Sequence, residues 1–208
     1  MHLLRNYILY FFSLIIIACT TPTQTDEIKI LNKAHESIVE FDDPQRFADV
    51  YDDFFKSIID SNAENFNKYI SPEYGLYIIE SAGAMPQMVN VKDISTFRGL
   101  NDKRSFFGFN KTDFDCELKE EELPVVDCDS PDGFYTKSGC YTQAVNTFAG
   151  EKIWMYCNLQ AQQEETVAIV AVTITQTVIN TYNYKYYFSL LDGEWYITFI
   201  DLRTPCSA

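Results

Sequence analysis

Apolar positions recur along this chain with two different periods. Phe47, Val50, Tyr51, Phe54, Phe55 and Ile58 fall at helical spacing and make one continuous stripe, which predicts an amphipathic helix. Asp43 before Pro44 supplies its start, an N-cap acceptor followed by the residue whose missing N–H costs nothing in a first turn. Ser61-Asn62-Ala63-Glu64 is a capping box that opens a second short helix through Phe66, Tyr69 and Ile70. Ser71-Pro72 stops that helix. Tyr74 to Ile79 reads as a strand, and residues 80–100 as irregular, with a helical turn after Asp93.

The period shortens to two in the last quarter, residues 152–202, which reads as four antiparallel strands. Leu191-Asp192-Gly193-Glu194 is the anchor, because Asp-Gly between apolar runs matches a type I′ turn whose central residues both need positive φ. A two-residue loop puts Leu190 opposite Trp195, Phe188 opposite Ile197, Tyr186 opposite Phe199 and Tyr184 opposite Asp201. Opposed residues share a face, so one face carries these aromatic and aliphatic groups with Asp201 as its one charge. The other face carries Ser189, Tyr187, Lys185, Asn183, Tyr196, Thr198 and Ile200 and reads as wetter. Val167 to Ile179, apolar on both phases over its first half, reads as a central strand. Ile153 to Leu159 completes the array.

Residues 1–18 hold one cation, Arg5, and an apolar run from Tyr7 to Ala18 broken by Ser13. The run is shorter than the roughly 20 residues a membrane span needs but matches a secretory signal. Its end, Ile16-Ile17-Ala18-Cys19, resembles the lipobox of bacterial lipoproteins, in which cleavage precedes a diacylglycerylated cysteine. An ordinary cleaved signal needs a small residue where Ile16 stands. The resemblance implies a mature chain anchored to membrane through lipid on Cys19. With Thr20 rather than Asp next, it implies the outer membrane of a bacterial cell envelope. Residues 19–41 then form the lipidated end, a polar tether and a short helical stretch, and 42–208 a single domain.

Charge narrows the partners. The formal net charge is −14 and becomes −15 when the leader removes Arg5 and no acid. Nucleic acid and anionic lipid surfaces are repelled by such a chain. His35 is the one histidine left in the mature chain, so a histidine-rich metal site is excluded and a Ser-His-Asp triad would have to use His35 itself.

From 101 to 151 periodicity is lost, and the segment reads as a loop-rich insertion. Cys116, Cys128 and Cys140 lie in it, with Cys157 and Cys206 beyond. In an oxidising compartment these five imply two disulfides and one free thiol, with the pairing open. No Cys-x-x-Cys pair supports zinc. Asp127, Asp129 and Asp132 alternate before Gly133 as calcium ligands do, although Pro131 and Ser138 stand where such a loop wants acids.

Two helices, a strand and long strands closing in Tyr186-Tyr187-Phe188-Ser189-Leu190-Leu191-Asp192-Gly193-Glu194-Trp195 resemble the NTF2-like (cystatin-like cone) superfamily over 44–79 and 152–202. The resemblance implies an α+β fold, N-terminal helices packed on a curved antiparallel sheet of four or more strands. No cofactor is expected. The family includes enzymes and inert binding or assembly modules. No nucleophile–base pair, metal cluster or phosphate loop is legible, which favours a non-catalytic module for a protein or small-molecule ligand. An isomerase- or dehydratase-like enzyme using Asp201 with Tyr184 and Tyr186 is one alternative, and a calcium-binding adhesion module is another.

Overall fold

The computed structural model describes residues 46–81, 83, 85–108, 116–131 and 133–206. The stretch read as a signal sequence, Cys19, the expected tether, His35, Asp43-Pro44 and Asp132 lie outside them. Helix α1 spans Phe47–Ile59 and α2 spans Ala63–Asn67; β1 is Leu76–Ser81, β2 Pro86–Val91, β3 Leu118–Glu120 and β4 Cys140–Gln143. Then come α3, Thr147–Glu151, a 3-10 turn at Ile153–Tyr156, α4, Ala161–Ala171, and strands β5, Ile174–Asn180, β6, Lys185–Leu191, and β7, Glu194–Asp201. The strands form one seven-stranded sheet in the order β2-β1-β7-β6-β5-β4-β3. It is mixed rather than antiparallel throughout, because β7 returns parallel beside β1 and β3 runs parallel to β4.

Helix α1 forms where its stripe demands. Val50, Tyr51, Phe54, Phe55 and Ile58 are buried while Asp52, Asp53 and Lys56 face water. Arg46 occupies the N-cap position, later than the Asp43 expected for it. The stripe lies on one face of the sheet with Leu76, Ile78, Tyr186, Phe188, Ile197 and Ile200. Phe54 meets Phe188 edge-on at 5.2 Å between ring centroids, and Tyr51 stacks on Phe55 at 5.6 Å. Each such buried side chain contributes roughly 1.5–3 kcal/mol through removal from water. In α2, Asn62 rather than Ser61 caps the helix, accepting a hydrogen bond from the Asn65 N–H at 3.0 Å.

The opposite face is also covered, which corrects the expectation of helices on one side. Val167, Val170 and Ala171 of α4, Phe148 of α3 and Trp154 of the 3-10 turn pack on Tyr77, Ile79, Tyr187 and Phe199. The strand expected at 153–159 is therefore a 3-10 turn, and the first part of the strand expected at 167–179 is the end of a helix. A run apolar on both phases fits a buried strand and a buried helix equally well. Here Ala161 through Glu165, strong helix formers, and the reciprocal bonds of Gln160 and Gln163 nucleate the helix upstream of that run. The strand starts only at Ile174. Residues 80–100 also contain a strand that went unread, β2, whose Pro86 sits at its first position on the sheet edge.

The Asp-Gly hairpin forms as read, with φ of +52° at Asp192 and +86° at Gly193. Its register holds from Leu191↔Glu194 through Phe188↔Ile197 and then slips, to Tyr187↔Phe199, Tyr186↔Ile200 and Lys185↔Asp201. Thr198 is the extra residue of a β-bulge, and its Oγ1 donates to the Tyr187 carbonyl at 3.1 Å. A one-residue slip exchanges faces. Ile200 thus turns toward α1, while Phe199 and Asp201 turn toward α3 and α4, away from Tyr184 and Tyr186.

Two disulfides staple the insertion. Cys116–Cys140 ties the chain just before β3 to β4, and Cys128–Cys206 ties the loop to the tail across 78 residues of sequence; Cys157 is free. The insertion is loop-rich as expected, but it also supplies β3, β4 and α3.

Candidate functional site

The ends of β1 and β7 and the start of β6 lie together at one end of the sheet, because β1 and β7 are parallel and β6 is antiparallel to β7. A cavity of ≈350 Å³ opens there, within the range of about 300–1,000 Å³ typical of ligand pockets. Glu80 and Ser81 from β1, Tyr184 before β6 and Leu202–Thr204 after β7 form one side. The loop 97–108 forms the other side, through Phe97, Asp102, Arg104 and Phe106.

That loop is held by its own hydrogen bonds. Gly99 N–H donates to the Arg104 carbonyl at 2.9 Å and Lys103 N–H to the Gly99 carbonyl at 3.1 Å. The Asp102 carboxylate accepts from the Arg104 backbone N–H at 2.9 Å and from its guanidinium Nε. The Arg104 N–H bond, largest among several, holds the Asp102 carboxyl below its ordinary value. Gly99 packs closely against Asp102 and Glu80. A Cβ there would sit 3.2 Å from Asp102 Oδ1 and 3.4 Å from Glu80 Oε1.

Glu80 is the chemically distinctive residue. It is the first residue to leave the core on a strand buried from Leu76 to Ile79. Its carboxylate accepts from the Leu100 N–H, at 3.2 Å to Oε2 and 3.4 Å to Oε1. Among the described residues no lysine or arginine forms an ion pair with it. Partial burial pushes its pKa up, partly offset by the Leu100 N–H. Tyr184 is likewise raised by burial, with Arg104 pulling the other way.

A second cavity of ≈460 Å³ adjoins this one across the tail, sharing Ser81, Arg203 and Thr204, and includes Asp201 and Lys185. Asp201 is buried, and its carboxylate is fully engaged by Arg203: Oδ1 accepts from backbone N–H at 3.0 Å and Nε at 2.8 Å, Oδ2 from Nη2 at 2.7 Å. The bidentate bond raises the Arg203 guanidinium further. Glu151 of α3 joins this network, 3.5 Å from Lys185 and 4.0 Å from Arg203.

No family model matches the chain, and no curated protein or solved structure is significantly similar to it. Function therefore rests on what these side chains can do.

The residues singled out in the sequence are dispersed. Tyr184 lines the first cavity, Asp201 the second, and Tyr186 is sealed in the core against Tyr51 and Phe54, its hydroxyl pushed well above its ordinary pKa by burial. The expected face shared by Asp201, Tyr184 and Tyr186 does not exist, because the bulge at Thr198 separates them. Asp127 and Asp129 lie in one turn, where Asp127 Oδ1 accepts from the Asp129 N–H at 3.1 Å. Among the described residues no group of three or more His, Cys, Asp or Glu converges as a metal site. The Cys157 thiol is pushed up to about 11 by burial, so it is protonated and weakly nucleophilic at neutral pH. Among the described residues no helix is long and apolar enough to cross a membrane.

Glu80, Arg104 and Arg203 were not read as site residues. One signal was present for Glu80, a charge directly after the apolar run Leu76 to Ile79.

Proposed function

We propose that this protein is a lipid-anchored, NTF2-like module of the bacterial cell envelope that holds a small ligand in the cavity beside Glu80. Ile16-Ile17-Ala18-Cys19 supports the anchor. N-terminal helices on a sheet that closes in an Asp-Gly hairpin support the NTF2-like reading. The observation that carries binding is Glu80 itself, a half-buried carboxylate without an ion-pair partner among the described residues, facing a cavity of ligand size. A charged group in that position needs a partner to offset its desolvation. The anchor is tested by Cys19→Ser in a bacterial host: the variant should leave the detergent phase, and retention there would contradict the anchor. Binding is tested by saturation-transfer NMR with a panel of small amines, alcohols and acids. Signal from at least one class, lost in Glu80→Gln, is the expected result, and a blank panel would contradict it.

One observation favours the isomerase- or dehydratase-like alternative. Glu80, raised by burial, and Tyr184 line one cavity, the pairing of base and phenol once assigned to Asp201. Exchange of α-deuterium from 2-keto and 2-hydroxy acids above a buffer blank, abolished by Glu80→Gln, would support it. No exchange leaves the binding module.

A further inference from the structure

We infer that the ligand of this cavity is an organic cation, a compound presenting an ammonium group to Glu80. The inference rests on the binding reading above and adds the sign of the ligand's charge. Four charged groups line the cavity: Glu80, Asp102, Arg104 and Arg203. Arg104 is paired with Asp102. Arg203 is paired with Asp201 and approached by Glu151. Both guanidinium groups are thus already neutralised by carboxylates, and an incoming anion would have to displace one. Glu80 alone among the four has no charged partner within ion-pair distance among the described residues, and the Leu100 N–H leaves acceptor positions on both of its oxygens.

The walls fit the same ligand. Phe97 and Phe106, largely buried in the core, contribute to the lining, their rings 6.2 Å apart and inclined at 78°. Tyr184, half buried, supplies an aromatic wall. An ammonium carries an apolar stem that such surface can cover and a charge that aromatic faces attract. The acidic whole, at −14, raises the local concentration of cations at a cleft and depletes anions. A neutral polyol would satisfy Glu80 hydrogen bonds but leave its charge uncompensated in a partly dehydrated site.

Three matched four-carbon probes separate the possibilities: putrescine, 1,4-butanediol and succinate, titrated into the full mature chain and followed by calorimetry and by amide shifts of Leu100 and Tyr184. Putrescine should bind and the other two should not. Glu80→Gln should weaken putrescine by at least about tenfold, the loss of one charge-assisted hydrogen bond. Melting of that variant checks its fold. Arg104→Ala, at an exposed position, leaves the Asp102 carboxylate without its partner and should tighten putrescine. Succinate bound more tightly than putrescine, or butanediol bound equally, would overturn the cation assignment while leaving the cavity a binding site. No shift with any probe would overturn the binding reading itself.

Discussion

The two faces of the sheet bury their residues by different chemistry. Toward α1 the contact is aromatic and continuous, with Tyr51, Phe54, Phe66, Tyr186 and Phe188 almost wholly out of water. Toward α3 and α4 a smaller apolar cluster around Phe148 and Phe199 is edged by buried hydroxyls that bond one another and the backbone. Ser189 Oγ lies 2.8 Å from Thr173 Oγ1 and 3.1 Å from Thr198 Oγ1, and Thr177 Oγ1 donates to the Val145 carbonyl at 2.6 Å. The lesson is that a polar side chain on a strand marks a wet face only when it has no polar neighbour to meet. Ser189, Thr177 and Thr198 are 0% exposed, and the face read as wetter is a second core.

The largest effect that would break this contrast is Phe54→Ala, which removes a ring touching Phe66, Tyr69, Tyr186 and Phe188. It should cost roughly 3–5 kcal/mol in urea unfolding. A cost near 1 kcal/mol would mean the first face is less continuous than it looks. Next is the double variant Cys116→Ser, Cys140→Ser, which opens a loop spanning 24 residues and should cost roughly 3 kcal/mol in the chain-entropy view. This variant acts beside α1, because Cys116 lines one surface pocket with Tyr51, Phe55 and Ile59, and its effect should couple to that of Phe54→Ala rather than simply add.

The smaller test addresses the second face. Ser189→Ala removes the hydroxyl that bridges Thr173 and Thr198, which keep their bonds to backbone carbonyls, and should cost about 1–1.5 kcal/mol, more than loss of a single oxygen from a wet surface. A cost within ~0.5 kcal/mol, usual for surface substitutions, would return that face to the wetter reading.

These contrasts also explain what was legible. The α1 stripe and the Asp-Gly turn are local patterns in which neighbouring residues specify one conformation, and both stand as read. The bulge was not legible, because Thr198 suits a regular strand as well as a bulge; its Oγ1 bond to the Tyr187 carbonyl exists only once the strands are paired. That one residue moved Asp201 from the expected tyrosine pocket to an ion pair with Arg203. The run at Val167–Ala171 carries no period that separates helix from strand, and Gln160–Glu165 decided it. Glu80 went unread because its neighbours come from the loop 97–108, and no local pattern links strand and loop before they fold.

Glu80 also sets a pH dependence of known sign. Its folded-state pKa is raised, so between the ordinary glutamate range and that raised value the folded chain holds more protons than the unfolded one. This group's contribution to stability is therefore lost as pH rises through that window. Glu80→Gln should melt higher than the native chain above the window and equally below it.

The most direct measurement is a 13C-detected NMR titration of the Glu80 carboxyl in the intact chain, with and without putrescine. A midpoint above that of the exposed glutamates, falling when putrescine is added, is the result expected of a desolvated carboxylate awaiting a cation. A midpoint at or below the exposed glutamates, unmoved by putrescine, would contradict it.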